Sequence, residues 1–466
     1  MTATQSMLIR DAELLNGERL DVRIREGRLV AIGELTASPG EPCVEARGGL
    51  LIPGLHDHHL HLAATAAAYS SVRCGPPDVL DQEMLAQVLS KPAQGWVRGL
   101  GYHESVAGML ERSWLDKVTG HRPVRVQHRG GRMWFLNSAA IDALLTDGTE
   151  APAGLDIRTG QLFDEDVWLR AALRSAPPPL EAISLDLARH GITGITDMSV
   201  ANMAVDHAHI RAEQRRGALL QRVVLAGTPQ LSALDYDARL SLGPVKLHLH
   251  EGHLPPYDRT VRSITAAHDA GRGVAVHCVT ETELVFALAA MAEAGCSPDD
   301  RIEHASITTD GLLDQIRALG LCVVTQPSFV VERGDAYLRD VDADDWPHLY
   351  RLRAFLNAGV ALAGSSDAPY VGFDPWAGMA AAVSRRTASG AVLGDREALD
   401  PAQALALYLA DPLDIRRSRA VQLGMSADLC LLKAGWLALR DDLKTDHVCL
   451  TIIDGAIVHD ARHTRP

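Results

Sequence analysis

Residues 51–57, 194–197, 222–226, 245–250, 274–278, 301–305, 322–326 and 360–364 form eight apolar, strand-like runs, each followed by a stretch with helical pattern. Strands buried on both faces and alternating with helices build a parallel sheet, because each crossover helix covers a face that would otherwise meet water. Eight such units predict an α/β fold, the (β/α)8 TIM barrel. The 466 residues leave room beside it for a smaller domain. Residues 7–34 alternate apolar and polar around Asn16-Gly17 and Glu26-Gly27, dipeptides suited to tight hairpin turns with positive φ. Residues 427–433 and 448–459 read as further short strands, the second broken by Asp454-Gly455. The expected organisation is a small β-sandwich domain from both chain ends, 1–52 and 412–466, with the barrel over 53–411 between them. Residues 65–185 are too long for a plain βα connection and are read as an insertion after the first barrel strand.

The formal net charge of −14 disfavours nucleic acid and anionic membrane as partners and leaves a small-molecule substrate. A homodimer is the assembly expected from general frequency. No segment is apolar for the length a bilayer requires, and residues 1–10 lack the order of a targeting signal, so a cytoplasmic enzyme is expected. Seven cysteines without C-x-x-C spacing read as reduced, buried packing residues.

The chemistry concentrates where the runs end. The first closes on Pro53-Gly54-Leu55-His56-Asp57-His58-His59-Leu60-His61, and side chains two apart on a strand share a face, so His59 and His61 point together toward the barrel axis. Later runs end in residues of similar kind: Lys246 on the fourth, His277 on the fifth, His304 on the sixth and Asp367 just past the eighth. Strand ends of a barrel meet on one catalytic face, and imidazoles with a carboxylate suit zinc-like cations. Lys246 does not fit that set as an ammonium. Either it reaches out from the strand end or pairs with a carboxylate, or burial frees its amine to react with carbon dioxide and give an anionic carbamate.

With these residues in order, the chain resembles the amidohydrolase superfamily of metal-dependent hydrolases, and more narrowly its branch with N-substituted formamide deformylase and the YtcJ-like proteins. The resemblance rests on P-G-x-x-D-x-H-x-H, Gly101-Tyr102, Asn137-Ser138-Ala139-Ala140, Ile195-Thr196-Asp197 and Val245-Lys246. It continues through Val276-His277, Arg301-Ile302-Glu303-His304, Gln326-Pro327-Ser328, Gly364-Ser365-Ser366-Asp367-Ala368-Pro369, Ala427-Asp428-Leu429 and Ile453-Asp454-Gly455. It implies two divalent metal ions, zinc by expectation, with His59, His61 and Asp367 on one, His277 and His304 on the other, and carboxylated Lys246 as the bridge. It also implies a metal-activated hydroxide that hydrolyses a C–N bond of an amide, formamide, N-acyl or cyclic amide, with catalytic Asp367 moving the proton.

The pocket departs from the pattern. Where such relatives commonly carry Gly-His before Asn-Ser-Ala, this chain has Gly131-Arg132, so Arg132 is a substitute donor or an exposed loop residue. Counting by two from Lys246 places His248 and His250 on the same face, as substrate contacts or as hydrogen-bonded lining. Tyr102, His103 and Glu104 resemble a pocket wall, and Phe329, Tyr370 and Trp376 are either apolar walls or packing. Two other readings stay open: a deaminase of an aminated heterocycle using one ion and an unmodified Lys246, and a non-catalytic binding protein on the same fold.

Overall fold

The computed structural model describes residues 6–91, 95–146, 149–174 and 176–462. Residues 1–5 of the segment inspected for a targeting signal lie outside them. The chain divides into two compact units, one of Met1–Leu62 with Leu180–Pro466 and one of Ala63–Pro179.

In the first unit, both chain ends build a pair of four-stranded sheets. One runs Arg28–Gly33, Arg19–Arg25, Met7–Glu13, Cys43–Glu45, and the other Ala456–Asp460, Val448–Ile453, Leu429–Leu432, Leu51–Pro53. Alternation gives each sheet one apolar face, and these faces supply a shared core that includes Ile9, Val22, Ile24, Leu51, Leu429 and Ile452. The hairpin signals are physical: Glu26 and Gly27 have φ of 48° and 71°, as a type I′ turn requires. A Cβ on Gly27 would sit 3.1 Å from the Asp454 carbonyl oxygen, in the neighbouring turn.

The eight-stranded sheet is parallel throughout. Its strands, numbered along the barrel, are Leu55–Leu60, Ile192–Asp197, Arg222–Gly227, Leu240–His248, Val274–Cys278, Arg301–His304, Cys322–Thr325 and Leu362–Gly364, each paired with the next. The closure between eighth and first strands uses the segment just past the eighth. Asp367 N donates to the His59 carbonyl at 2.7 Å, His61 N to that of Ala368 at 2.8 Å, and Ser366 Oγ to Asp57 Oδ2 at 2.5 Å. This is the TIM barrel that the sequence pattern predicts.

The first run is shorter in the barrel than its apolarity suggests. Residues 51–53 pair antiparallel with 429–431 in the β domain, and the barrel strand begins only at Leu55. Gly54 makes the transition, where a Cβ would lie 2.1 Å from the Thr193 side chain. Apolarity alone does not separate two consecutive buried strands that belong to different sheets.

The second unit has its own six-stranded sheet, ordered Leu155–Asp156, Gln161–Phe163, Met133–Leu136, Val124–His128, Val97–Tyr102, Val72–Arg73. The Asn-Ser-Ala-Ala segment serves here as a helix start: Asn137 Oδ1 accepts from Ala140 N at 2.9 Å and Val124 N at 3.0 Å. All seven cysteines are free, but Cys43 is exposed and Cys296 and Cys449 are half-buried, so uniform burial does not hold. Among the described residues no helix is long and apolar enough to cross a membrane.

Candidate metal centre

Strand geometry delivers the side chains. His59 lies near the end of the first barrel strand and His61 immediately beyond it, with ring centroids 5.4 Å apart. Asp367 enters from the closure segment with φ of +61°, a left-handed conformation uncommon for a side-chain-bearing residue. Its Oδ1 lies 3.2 Å from His61 Nε2 and 3.5 Å from His59 Nε2. One ligand atom from each of His59, His61 and Asp367 falls within 4.8 Å of the other two, the only such group of three among the described residues. The His304 ring lies 4.9 Å from that of His59, and His277 lies 4.4 Å beyond His304. His277 is aligned with Glu303 and Cys278 with His304 across the fifth and sixth strands.

A buried polar floor lies under this array. Glu303, with no exposed surface, accepts from His59 Nδ1 at 2.5 Å and pairs with Arg301 Nε at 2.6 Å. Adjacent strand residues ordinarily face opposite ways, yet Glu303 and His304 both reach His59. The left-handed φ of +70° at His304 breaks the alternation. Gln326 takes His304 Nδ1 at 2.8 Å, and Ser199 takes His61 Nδ1 at 3.1 Å.

Lys246 is 6% exposed, and its Nζ has no hydrogen-bond partner among the described residues. Burial lowers its pKa to about 8, with Arg301 adding to the shift and the charges of Glu303 and Asp367 opposing it. Burial also lowers His59, to about 3. For Asp367 burial acts upward, but contact with His61 and the neighbouring imidazoles prevails and holds the carboxyl at about 2. Desolvation raises Asp57 to about 7 against the hydrogen bonds from Ser366 and the His59 N–H. Near neutral pH the cluster therefore contains the neutral imidazoles of His59, His277 and His304, an ionised Asp367 and a readily deprotonated amine. That donor set fits a divalent cation.

The pocket residues proposed from sequence divide between the units. His248 ends the fourth strand with its ring 4.3 Å from His277. His250 does not continue the alternation: the strand stops at His248, and His250 Nδ1 accepts from Gly252 N at 3.2 Å on the exposed turn that follows. Tyr370 stands edge-on to His61 at 5.6 Å, Phe329 stacks on Tyr350, and Trp376 is buried with its Nε1 donating to the His190 carbonyl.

In the second unit, Tyr102 is buried against Phe135 and its hydroxyl donates to the Gly108 carbonyl at 2.5 Å. His103 caps a short helix through Nδ1, which accepts from Ser105 N at 3.2 Å. Glu104 sits between His128 Nε2 at 2.9 Å and His103 Nε2 at 3.4 Å. Arg132 forks onto Asp164 and lies over the Phe163 ring at 4.6 Å.

The sequence reading passed over Asp57, Ser199, Glu303 and Gln326 as working residues. Asp57 and Glu303 carried a usable signal: a charged group in an apolar barrel strand must have a buried partner.

Comparison with known proteins gives a family model, described as the amidohydrolase family, matching residues 43–459. N-substituted formamide deformylase of Arthrobacter pascens is 23% identical, over 97% of each chain. YtcJ of Bacillus subtilis (strain 168) is 24% identical, over 96% of this chain and 97% of the relative. Among solved structures, a metal-dependent hydrolase of uncharacterised role from Pyrococcus horikoshii OT3 superposes with a TM-score of 0.77 at 20% identity, covering 95% of this chain and 100% of the other.

Proposed function

The chain belongs to the amidohydrolase family and is a metal-dependent hydrolase of carbon–nitrogen bonds, and on that premise we propose that it hydrolyses an amide, formamide, N-acyl or cyclic amide bond of a small molecule at the His59–His61–Asp367 centre. The observation that carries this reading is the convergence of two imidazole nitrogens and a carboxylate oxygen within 4.8 Å, at the strand ends of a barrel. We assign His59, His61 and Asp367 to one divalent ion, with zinc the expected metal. His277 and His304 would hold a second, and a carboxylated Lys246 would be the anionic ligand shared by both. The burial of Lys246, an Nζ without a hydrogen-bond partner among the described residues and a lowered pKa favour that modification. The neutral amine forms an N–C bond to carbon dioxide and releases a proton, leaving an anionic carbamate in place of a misplaced cation.

Divalent metal in such a site supplies ionised water at neutral pH and polarises a substrate carbonyl. The remaining work falls to the chain. Asp367, ionised and in contact with both histidines, accepts the proton of the attacking water at its carboxylate and passes it to the departing nitrogen. Glu303 keeps the His59 ring oriented, and Arg301 keeps Glu303 charged. The name of the Arthrobacter relative makes N-formyl compounds the first substrates to try. A second reading, a one-ion deaminase of an aminated heterocycle, draws on the same compact triad alone.

Turnover of a panel of N-formyl, N-acyl, dipeptide, cyclic amide and aminated heterocycle compounds by zinc-loaded protein separates the two. Amide hydrolysis supports the proposal. Ammonia released from heterocycles alone, with one ion per chain and Lys246 unmodified, replaces it with the deaminase.

A further inference from the structure

We infer that Ser199, Glu303 and Gln326 are positioning residues that hold His61, His59 and His304 as Nδ1–H tautomers, so that each ring turns a bare Nε2 lone pair into the centre. The inference rests on the reading above only for the identity of what those lone pairs receive. The tautomers are a property of the chain itself.

For His304 the assignment follows from a chain of donors. Ser365 Oγ donates its single hydrogen to the Thr325 carbonyl at 3.2 Å, so it can only accept from Gln326 Nε2 at 3.0 Å. The Gln326 amide is thereby fixed with Oε1 toward His304 Nδ1 at 2.8 Å, and an oxygen there requires N–H on the ring. His61 is fixed in the same way. Ser199 Oγ spends its hydrogen on Asp197 Oδ1 at 2.7 Å, so at 3.1 Å from His61 Nδ1 it can only accept. For His59 the partner is the Glu303 carboxylate at 2.5 Å, which accepts and does not donate when ionised. The protonated nitrogen of a neutral imidazole is set by the bond its other nitrogen makes.

Asp197, Glu303 and Gln326 stand in three of the sequence motifs but outside the ligand set: Glu303 and Gln326 are Nδ1 partners, and Asp197 anchors a third, Ser199.

The test uses full-length protein stripped of metal with a chelator and labelled with ¹⁵N-histidine. Long-range ¹H–¹⁵N correlation spectra report which nitrogen carries the proton, with resonances assigned through His59→Gln, His61→Gln and His304→Gln. Neutral imidazole in water favours Nε2–H, so three Nδ1–H rings at these positions support the inference and an Nε2–H ring at any of them overturns it. Ser199→Ala should return His61 alone to Nε2–H, and Gln326→Leu should do so for His304, while Gln326→Glu keeps the acceptor and the tautomer. In competition with a chromophoric chelator for Zn²⁺, Ser199→Ala and Gln326→Leu should each bind roughly 10–100-fold more weakly, with Gln326→Glu restoring affinity. Unchanged tautomers in both variants would also overturn the inference. If a variant fails to fold, the unmutated protein's spectrum still decides. Nδ1–H rings in a protein that binds no Zn²⁺ would uphold the inference while defeating the proposed function.

Discussion

Replacing Glu303 with leucine should destabilise the metal-stripped protein severely, for a reason visible in its two contacts. The carboxylate has no exposed surface, and its oxygens lie 2.6 Å from Arg301 Nε and 2.5 Å from His59 Nδ1. Glu303→Leu removes the anion and leaves the Arg301 guanidinium charged in the barrel interior, where its remaining partners are the His58 carbonyl at 3.0 Å and Met198 Sδ at 3.1 Å. Neither neutralises it. Removing one member of a buried ion pair costs about 3–5 kcal/mol, whereas replacing both with apolar groups of similar volume is often close to neutral. The double variant Arg301→Met/Glu303→Leu should therefore recover more than half of the loss. Urea unfolding of the chelator-treated single and double variants, followed by tryptophan fluorescence, measures the difference as a double-mutant cycle. The reasoning fails if Glu303→Leu stays within about 1 kcal/mol of the unmodified protein, or if the double variant is no more stable than Glu303→Leu.

Asp367→Asn keeps the shape of the site but removes its proton carrier, so kcat should fall by roughly 10²–10⁴ with a smaller change in KM, measured by steady-state kinetics on the substrate the panel identifies. Lys246→Ala should abolish the carbamate signal that ¹³C-labelled bicarbonate gives in NMR of the protein with Lys246 in place, and should lower the number of ions retained per chain. Glu41 accepts from Arg23, Ser38 N and Ser6, and its pKa is depressed from 4.5 to about 2. Its stabilising contribution is therefore fully present above about pH 4.5 and disappears as pH falls through about 2. The stability gap between the unmodified protein and Glu41→Gln, followed by denaturant midpoint, should be constant from pH 5 upward and close toward pH 2. Gly27→Ala places a Cβ at φ +71° and 3.1 Å from the Asp454 carbonyl oxygen, and should cost about 1 kcal/mol or more in thermal or urea unfolding.

The scaffold was legible because its signals are local. Glu26-Gly27 and Asp454-Gly455 declare turns through backbone conformations that few residues tolerate, and apolar runs alternating with helical patterns leave a parallel barrel as the natural way to bury both faces of each strand. His59 and His61 were equally readable, since two-residue spacing on a strand fixes a shared face. The limits arose where position depends on a distant part of the chain. Residues 51–57 form one apolar run, yet residues 429–431 claim the first three and the barrel the rest. His250 was placed by extending an alternation past the strand's true end at His248. Ser199 and Gln326 escaped notice because a hydroxyl or an amide looks like ordinary loop polarity. Their role appears only when His61, 138 residues from Ser199, and His304, 22 residues from Gln326, come within hydrogen-bond distance.

The most direct test of the metal-dependent account is a titration of chelator-stripped protein with Zn²⁺, recording ions bound per chain and hydrolysis of an N-formyl or N-acyl amide on the same samples. Activity should be absent in the stripped protein and rise with bound metal to a plateau at two ions per chain, and Asp367→Asn should bind metal without recovering the rate. Full turnover by stripped protein, or full turnover by a His59→Ala/His61→Ala variant, would contradict it.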